Sequence, residues 1–157
     1  MTDQTVVHST FVLERRFSKP RAAVFAALSE PAKKRRWFGD NPTHEVVDFA
    51  VDFRVDGVER WRYRMNAASP FPGTEIVNVG IHLDIVPNAR IVIAYSMAMA
   101  GRRFSASLVT FELIENGAAT DLTLTHQGVF FEGADGPQMR EDGWRSLLGR
   151  LAAELDG

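Results

Sequence analysis

Leu122, Leu124 and His126 occupy alternate positions of DLTLTHQG, so a histidine continues a row of leucines. An imidazole on that parity points inward. There it could take or give a proton, or hydrogen-bond a ligand carbonyl, because its reference pKa of about 6.5 lies near neutrality. Burial without a carboxylate partner would lower that value and keep the ring neutral. The alternative is a structural histidine bonded to backbone or to the start of the final helix. The same parity count turns Tyr63, Tyr95, Ser105 and Ser107 inward, with Arg54 and Arg103 near strand ends. Tyr63 or Tyr95 could hold a carbonyl or enolate while His126 or Arg54 moves protons or stabilises negative charge. No inward pair of carboxylates joins them, which argues against acid–base catalysis.

Other chemistries are excluded more firmly. There is no cysteine, so disulfides, thiolate zinc sites and a cysteine nucleophile are absent. His8, His44, His82 and His126 have no ligand spacing, and His82 with Asp84 is expected on an outer strand face, so no metal is expected. No cofactor is expected either: no glycine-rich nucleotide loop occurs, and Gly80 reads as a bulge or bend. A net charge of -2 provides no field for nucleic acid or an anionic membrane. The run KKRR is expected to form a solvated helix face. The opening MTDQTVVHSTF lacks the blocks of a signal peptide and no apolar run approaches a membrane span, which predicts a cytoplasmic protein.

The elements that must position these groups follow from periodicity. Val7, Phe11, Leu13 and Phe17 alternate as on a half-buried strand. Ser18 offers an N-cap oxygen before Pro20, and Ser29-Glu30-Pro31 repeats the signal, predicting two short helices that end at Gly39-Asp40-Asn41-Pro42. Period two then persists through five segments and a final strand. The inward sets are Val47, Phe49, Val51 and Phe53; Trp61, Tyr63 and Met65; Val77, Val79, Ile81, Leu83 and Ile85; Ile91, Ile93, Tyr95 and Met97; and Ser105 to Leu113 at every second residue. Asn116-Gly117 marks a hairpin into the His126 strand. From Gly136-Pro137 a long helix carries Trp144, Leu148, Leu151 and Leu155 in one stripe. Gly143 inside it costs about 1 kcal/mol relative to alanine, so close packing of the helix is the expected compensation. At 157 residues the chain suits one domain, residues 1–157. One apolar sheet face with a single long helix to cover it must curl round that helix.

This order resembles the helix-grip fold of the START-like (SRPBCC) superfamily: an α+β architecture, with a curved antiparallel sheet of six to seven strands around the C-terminal helix. FVLERRFSKPRAAVFAALSEPAKKRRWF and LTLTHQG with DGWRSLLGRLAAEL resemble the opening and ending of its branch named for the activator of heat-shock-protein-90 ATPase. The resemblance implies binders of small apolar ligands, polyketide cyclases and dehydratases, ligand sensors or chaperone activators, and fold alone does not choose among them. The chaperone activator has a further N-terminal domain for which this chain leaves no room.

The expected site lies between sheet and helix, lined by Trp37, Phe53, Trp61, Tyr63, Tyr95, Met97, Phe111, His126, Phe131 and Trp144. Burying ~300 Å² of apolar ligand at ~25 cal/mol per Å² yields roughly 7 kcal/mol, of which association costs at least ~4. Selective binding therefore needs inward polar groups. The leading reading is a carrier or sensor of a small hydrophobic molecule, lipid-like, polyketide-like or aromatic. A cyclase, dehydratase or hydrolase-like enzyme in the same cavity, a chaperone-activating module, and a homodimer stay open beside it.

Overall fold

The alternating runs become strands because one face of each can be buried while its backbone pairs with a neighbour. In a computed structural model, which describes residues 6–39 and 41–157, these are β1 (Val7–Phe17), β2 (His44–Val51), β3 (Val58–Met65), β4 (Glu75–Val86), β5 (Arg90–Met99), β6 (Arg102–Asn116) and β7 (Ala119–Phe130). They form one seven-stranded sheet in the order β1-β7-β6-β5-β4-β3-β2. Every neighbouring pair is antiparallel. Two short helices, α1 (Arg21–Ser29) and α2 (Pro31–Lys34), follow β1, and a π-helical turn Arg35–Gly39 continues α2. The long helix α3 (Pro137–Asp156) lies in the grip of the sheet. Its Trp144, Leu148 and Leu151 are buried against Phe111, Leu122, Leu124 and neighbours in one core. The fold is α+β helix-grip, as the order of elements suggested. Residues 1–5 and Asp40, part of the leader and helix-stop readings, lie outside the described residues.

The helix starts differ from expectation. Pro20 and Glu30 are the N-caps of α1 and α2, and neither cap is closed by a side chain. Ser18 instead turns its hydroxyl to Asp156 Oδ1 at 3.3 Å, tying the start of α1 to the end of α3. Trp37 is fixed by its indole N–H, which donates to the Ala27 carbonyl at 2.7 Å and so clamps the π-helical turn onto α1. The KKRR segment is not uniformly solvated: Lys34 is buried while Arg35 and Arg36 are exposed.

The largest correction concerns β4. Its inward face carries Ile76, Asn78, Gly80 and His82, and the apolar Ile81 and Leu83 face outward. The reason is space. Gly80 lies opposite Glu59 on β3 and Tyr95 on β5, and a Cβ there would stand 3.1 Å from Ile93 Cγ2 and 3.2 Å from Tyr95 Cβ. Gly80 thus serves close packing in regular register, while the irregularity on β4 lies between His82 and Asp84. A second bulge, between Val46 and Asp48, gives Val46 rather than Val47 a place against the core. Arg54 and Arg103 are exposed. Arg54 pairs with Asp52 at 2.8 Å and faces no interior group.

Candidate functional site

The N-terminal half of α3 does not fill the curve of the sheet. Between it and β3, β4 and β5 lies a cavity of about 310 Å³, at the lower end of volumes usual for small-molecule sites. Its walls include Tyr63, Ile76, Met97, Trp144 and Leu147, and Met139 stands exposed at its edge. Gly143 also lines this space. A Cβ at Gly143 would meet nothing within 4 Å, so close approach of the helix does not explain this glycine; it leaves room instead. Gly143→Ala is therefore expected to stabilise the fold by about 1 kcal/mol through helix propensity alone, raising Tm by about 2–4 °C in a thermal melt.

One side of the cavity is braced by a buried arginine that the sequence pattern did not single out. Arg140, on the first turn of α3, donates to both carboxylate oxygens of Asp135 at 2.8 and 2.9 Å, to Ser105 Oγ at 2.9 Å and to the Tyr95 hydroxyl at 3.1 Å. Asp135 comes from the loop after β7, where Gly133 and Gly136 take positive φ values of 77° and 91°. These backbone conformations let the loop return its carboxylate to the helix start.

Tyr95 links that arginine to His126. The Trp144 indole N–H approaches the same hydroxyl at 3.4 Å, and His126 Nε2 lies 3.1 Å from it. With Arg140 and Trp144 donating, the phenol's own hydrogen is directed to Nε2, so the imidazole hydrogen sits on Nδ1. That Nδ1 is buried without a partner. Phe11 stacks on the ring at 4.6 Å, and a Cβ on Gly128 would come within 2.8 Å of His126 Cε1, which is why β7 carries a glycine there. Burial, then the positive charge of Arg140, lower the His126 pKa to about 4. The expected inward, neutral histidine is thus found, but it stands behind Tyr95 and outside the cavity lining.

A second polar cluster lies deeper. Glu59 accepts from Lys34 Nζ at 2.7 Å, from Trp61 Nε1 at 2.7 Å and from His82 Nε2 at 3.2 Å. All four residues are buried. Burial alone would raise the Glu59 pKa; Lys34, His82 and Trp61 overcome it and lower the pKa to about 2. Tyr63 behaves oppositely: burial, followed by the charge of Glu59, pushes its pKa well above 10. Its hydroxyl therefore stays protonated, and it has no hydrogen-bond partner among the described residues.

Of the residues expected to line a site, Tyr63, Tyr95, Met97 and Trp144 border the main cavity and Phe111 borders the small recess beneath it. Trp37, Trp61 and His126 belong to the surrounding core, Phe53 packs on His82 and Phe25, and Phe131 is half-buried in the loop after β7. Arg54 is remote from the interior. Sequence reasoning missed Lys34, Glu59, Asn78, Asp135 and Arg140. A signal existed for Lys34: it precedes Trp37 and Phe38 by three and four positions, a spacing that shares a helix face. Among the described residues no cluster of His, Asp and Glu could hold a metal ion, and no helix is long and apolar enough to cross a membrane.

Residues 18–156 match the family described as Activator of Hsp90 ATPase homolog 1-like protein. An uncharacterized protein of Rhizobium leguminosarum has the same fold, with TM-score 0.90 and 34% identity over 99% of each chain. A protein of Rhizobium loti is 43% identical with TM-score 0.84, covering 96% of this chain and 99% of its own. A protein of Aeromonas hydrophila described as AHSA1-like, 17% identical over 94% of this chain and 92% of its own, shares the fold at TM-score 0.68. A comparison with curated proteins finds no match.

Proposed function

Since the chain belongs to the activator of Hsp90 ATPase homolog 1-like family, a branch of the START-like (SRPBCC) superfamily, we propose that it binds a small, largely apolar molecule between α3 and the sheet. The observation that carries this is the cavity of about 310 Å³ with polar groups at its wall not spent on the protein. The Tyr63 hydroxyl and the Asn78 carboxamide have no hydrogen-bond partner among the described residues. Tyr63 is buried and Asn78 half-buried, and polar groups left open at the wall of a largely apolar pocket suit a ligand that pairs with them. Leu147, Ile76 and Met97 supply apolar area and Trp144 a rigid ring.

The test is a panel of lipid-like and aromatic compounds read by thermal shift and native mass spectrometry. Binding is expected in the wild type, and Met97→Trp, which puts a larger ring into the space, is expected to weaken it at least about tenfold by displacing ligand area. No shift across a broad panel, or equal binding by the filled variant, removes this reading.

Catalysis is the second reading, favoured by one observation: the Tyr95 hydroxyl in the cavity wall has His126 behind it and receives hydrogen bonds from Arg140 and Trp144. In a cyclase- or dehydratase-like reaction Tyr95 would take a proton from the substrate while its own hydroxyl hydrogen passes to His126 Nε2, with Arg140 and Trp144 steadying the phenolic oxygen. Turnover of a polyketide-like substrate that survives Tyr95→Phe and His126→Asn undiminished would remove that reading. The family's description also supports a chaperone-activating role, which requires that the isolated chain bind Hsp90 and raise its ATPase rate.

A further inference from the structure

The charges around the cavity are already matched. Arg140, in its wall, directs each hydrogen of its guanidinium at the protein: to the two oxygens of Asp135 at 2.8 and 2.9 Å, to Ser105 at 2.9 Å, to Tyr95 at 3.1 Å and to Ser107 at 3.5 Å. Asp135 is its counter-charge. In the small recess beneath, Lys34 and Glu59 form a second neutral pair at 2.7 Å. His44, also in the wall, has Nε2 3.1 Å from the Gly39 carbonyl. An ionised ligand would therefore enter a site whose arginine and lysine each have a carboxylate already, and buried charge without a partner is costly. The wall suits a neutral guest.

Tyr95 is spent as well, since its oxygen accepts from Arg140 and Trp144 and its hydrogen goes to His126. Tyr63 and Asn78 remain open. Tyr63 is 6% exposed, and its hydroxyl faces the cavity with no partner among the described residues. Contacts with the rings of His44 at 4.5 Å and Trp61 at 6.3 Å hold it there. Tyr63 pairs with Ile76 across the sheet and Asn78 with Trp61, so the two open groups lie diagonally across β3 and β4 on the inner face. Diagonal neighbours on one face are within reach of aromatic and long side chains. Together they hold a hydroxyl hydrogen and the amide hydrogens without an acceptor, against a single amide oxygen without a donor. Hydrogens are in excess at this wall.

We propose that the ligand is uncharged and carries a carbonyl group, whose oxygen accepts from the Tyr63 hydroxyl and from the Asn78 side-chain amide. This rests on the ligand-binding reading and adds to it the ligand's chemical class and its orientation: carbonyl end against β3 and β4, apolar remainder toward Met97, Leu147 and Met139. A carbonyl oxygen has two lone pairs and no hydrogen, so it takes a hydrogen from each open group at once. A ligand hydroxyl would add one more hydrogen to a wall that already has too many. Tyr63 is held by packed rings before any ligand arrives, which lowers the cost of ordering the site on binding.

Probes of one shape separate the carbonyl from apolar area and from charge. 2-Acetylnaphthalene, 2-isopropenylnaphthalene and 2-naphthoate share a ring system and a flat branched end, but present a ketone, a methylene and a carboxylate; acetophenone, α-methylstyrene and benzoate repeat the set in a smaller frame. Equilibrium dialysis at pH 7 reads each. The wild type is expected to bind the ketones several-fold more tightly than the alkenes, the effect of hydrogen bonds formed at a mostly apolar wall, and at least about tenfold more tightly than the carboxylates, which lose hydration without gaining a counter-charge. Tyr63→Phe removes an oxygen that bonds to nothing in the protein, so it is expected to fold as the wild type does, to keep its affinity for the alkenes and to lose most of the preference for ketones. Asn78→Leu is expected to lose part of that preference. Equal binding of ketone and alkene by the wild type, a ketone preference that both variants keep, or tighter binding of the carboxylate or of the corresponding secondary alcohol overturns carbonyl recognition and leaves cavity binding standing. If no member of either set binds, both carbonyl recognition and the ligand-binding reading fall.

Discussion

Replacing Lys34 with methionine is expected to cost about 3–5 kcal/mol of stability, because it removes the ammonium from a carboxylate that stays buried. Glu59 would keep the Trp61 and His82 bonds but lose its 2.7 Å partner. Lys34→Met combined with Glu59→Gln is expected to recover most of that loss, since a neutral amide no longer needs a counter-charge and can still accept from Trp61. Urea denaturation at pH 7 checks both; equal losses in the single and double variants would contradict the account. The pH dependence follows from the same group. With its pKa lowered from 4.5 to about 2 in the folded chain, Glu59 contributes stability that is complete above about pH 4.5 and lost as pH falls through 2. Removing Lys34 should move that acid transition upward.

Which strands exist was legible because alternation survives wherever one face is buried, and seven of them arrange with α3 as the order of elements implied. Which face turns inward was legible only where the inner face was also the more apolar one. On β3 and β5 it was, and Trp61, Tyr63, Ile91, Ile93 and Tyr95 are buried as expected. On β4 the rule inverts. Its inner face meets a cavity and a buried carboxylate, so it carries Asn78, Gly80 and His82, while Ile81 and Leu83 remain outside, beside residues such as Val58. Period two reports alternation, not the identity of the inner side.

The polar framework of the site was hidden for a different reason. Arg140 sits among Glu141 and Asp142 at a helix start, a context that reads as solvated, and becomes buried only because the loop after β7 brings Asp135 to it. Such a pairing depends on loop conformation, which the strand and helix periods do not carry. Lys34 is concealed in a run of four cations of which only the one sharing a face with Trp37 and Phe38 is drawn inside. His126 was legible because its neighbours on β7 are leucines; its partner Tyr95 was legible as inward, but their juxtaposition required the pairing of β5 with β6 and of β6 with β7.

That juxtaposition makes His126 the group through which mild acid should loosen the fold. In the unfolded chain the imidazole titrates near 6.5, whereas burial and the neighbouring Arg140 charge lower it to about 4 in the folded one. Between those values the unfolded state binds a proton that the folded state refuses, so stability rises with pH across the interval and is fully present above about 6.5. Falling from pH 6.5 to 4, this group is expected to remove up to about 3 kcal/mol, at 1.36 kcal/mol per pKa unit. This loss precedes the one from Glu59, whose interval runs from 4.5 to 2. His126→Asn is expected to flatten the upper interval while leaving the lower one, whatever it costs at neutral pH through the lost Phe11 stack. Glu59→Gln is expected to do the reverse. Denaturant titrations of the three proteins from pH 7 to 3 separate the two slopes, and a wild-type slope between pH 6.5 and 4 that persists in His126→Asn would assign it elsewhere. The physical cause is specific: a second hydrogen on the ring would displace the Tyr95 hydroxyl hydrogen from Nε2 and place a cation beside Arg140, with only Asp135 to offset it.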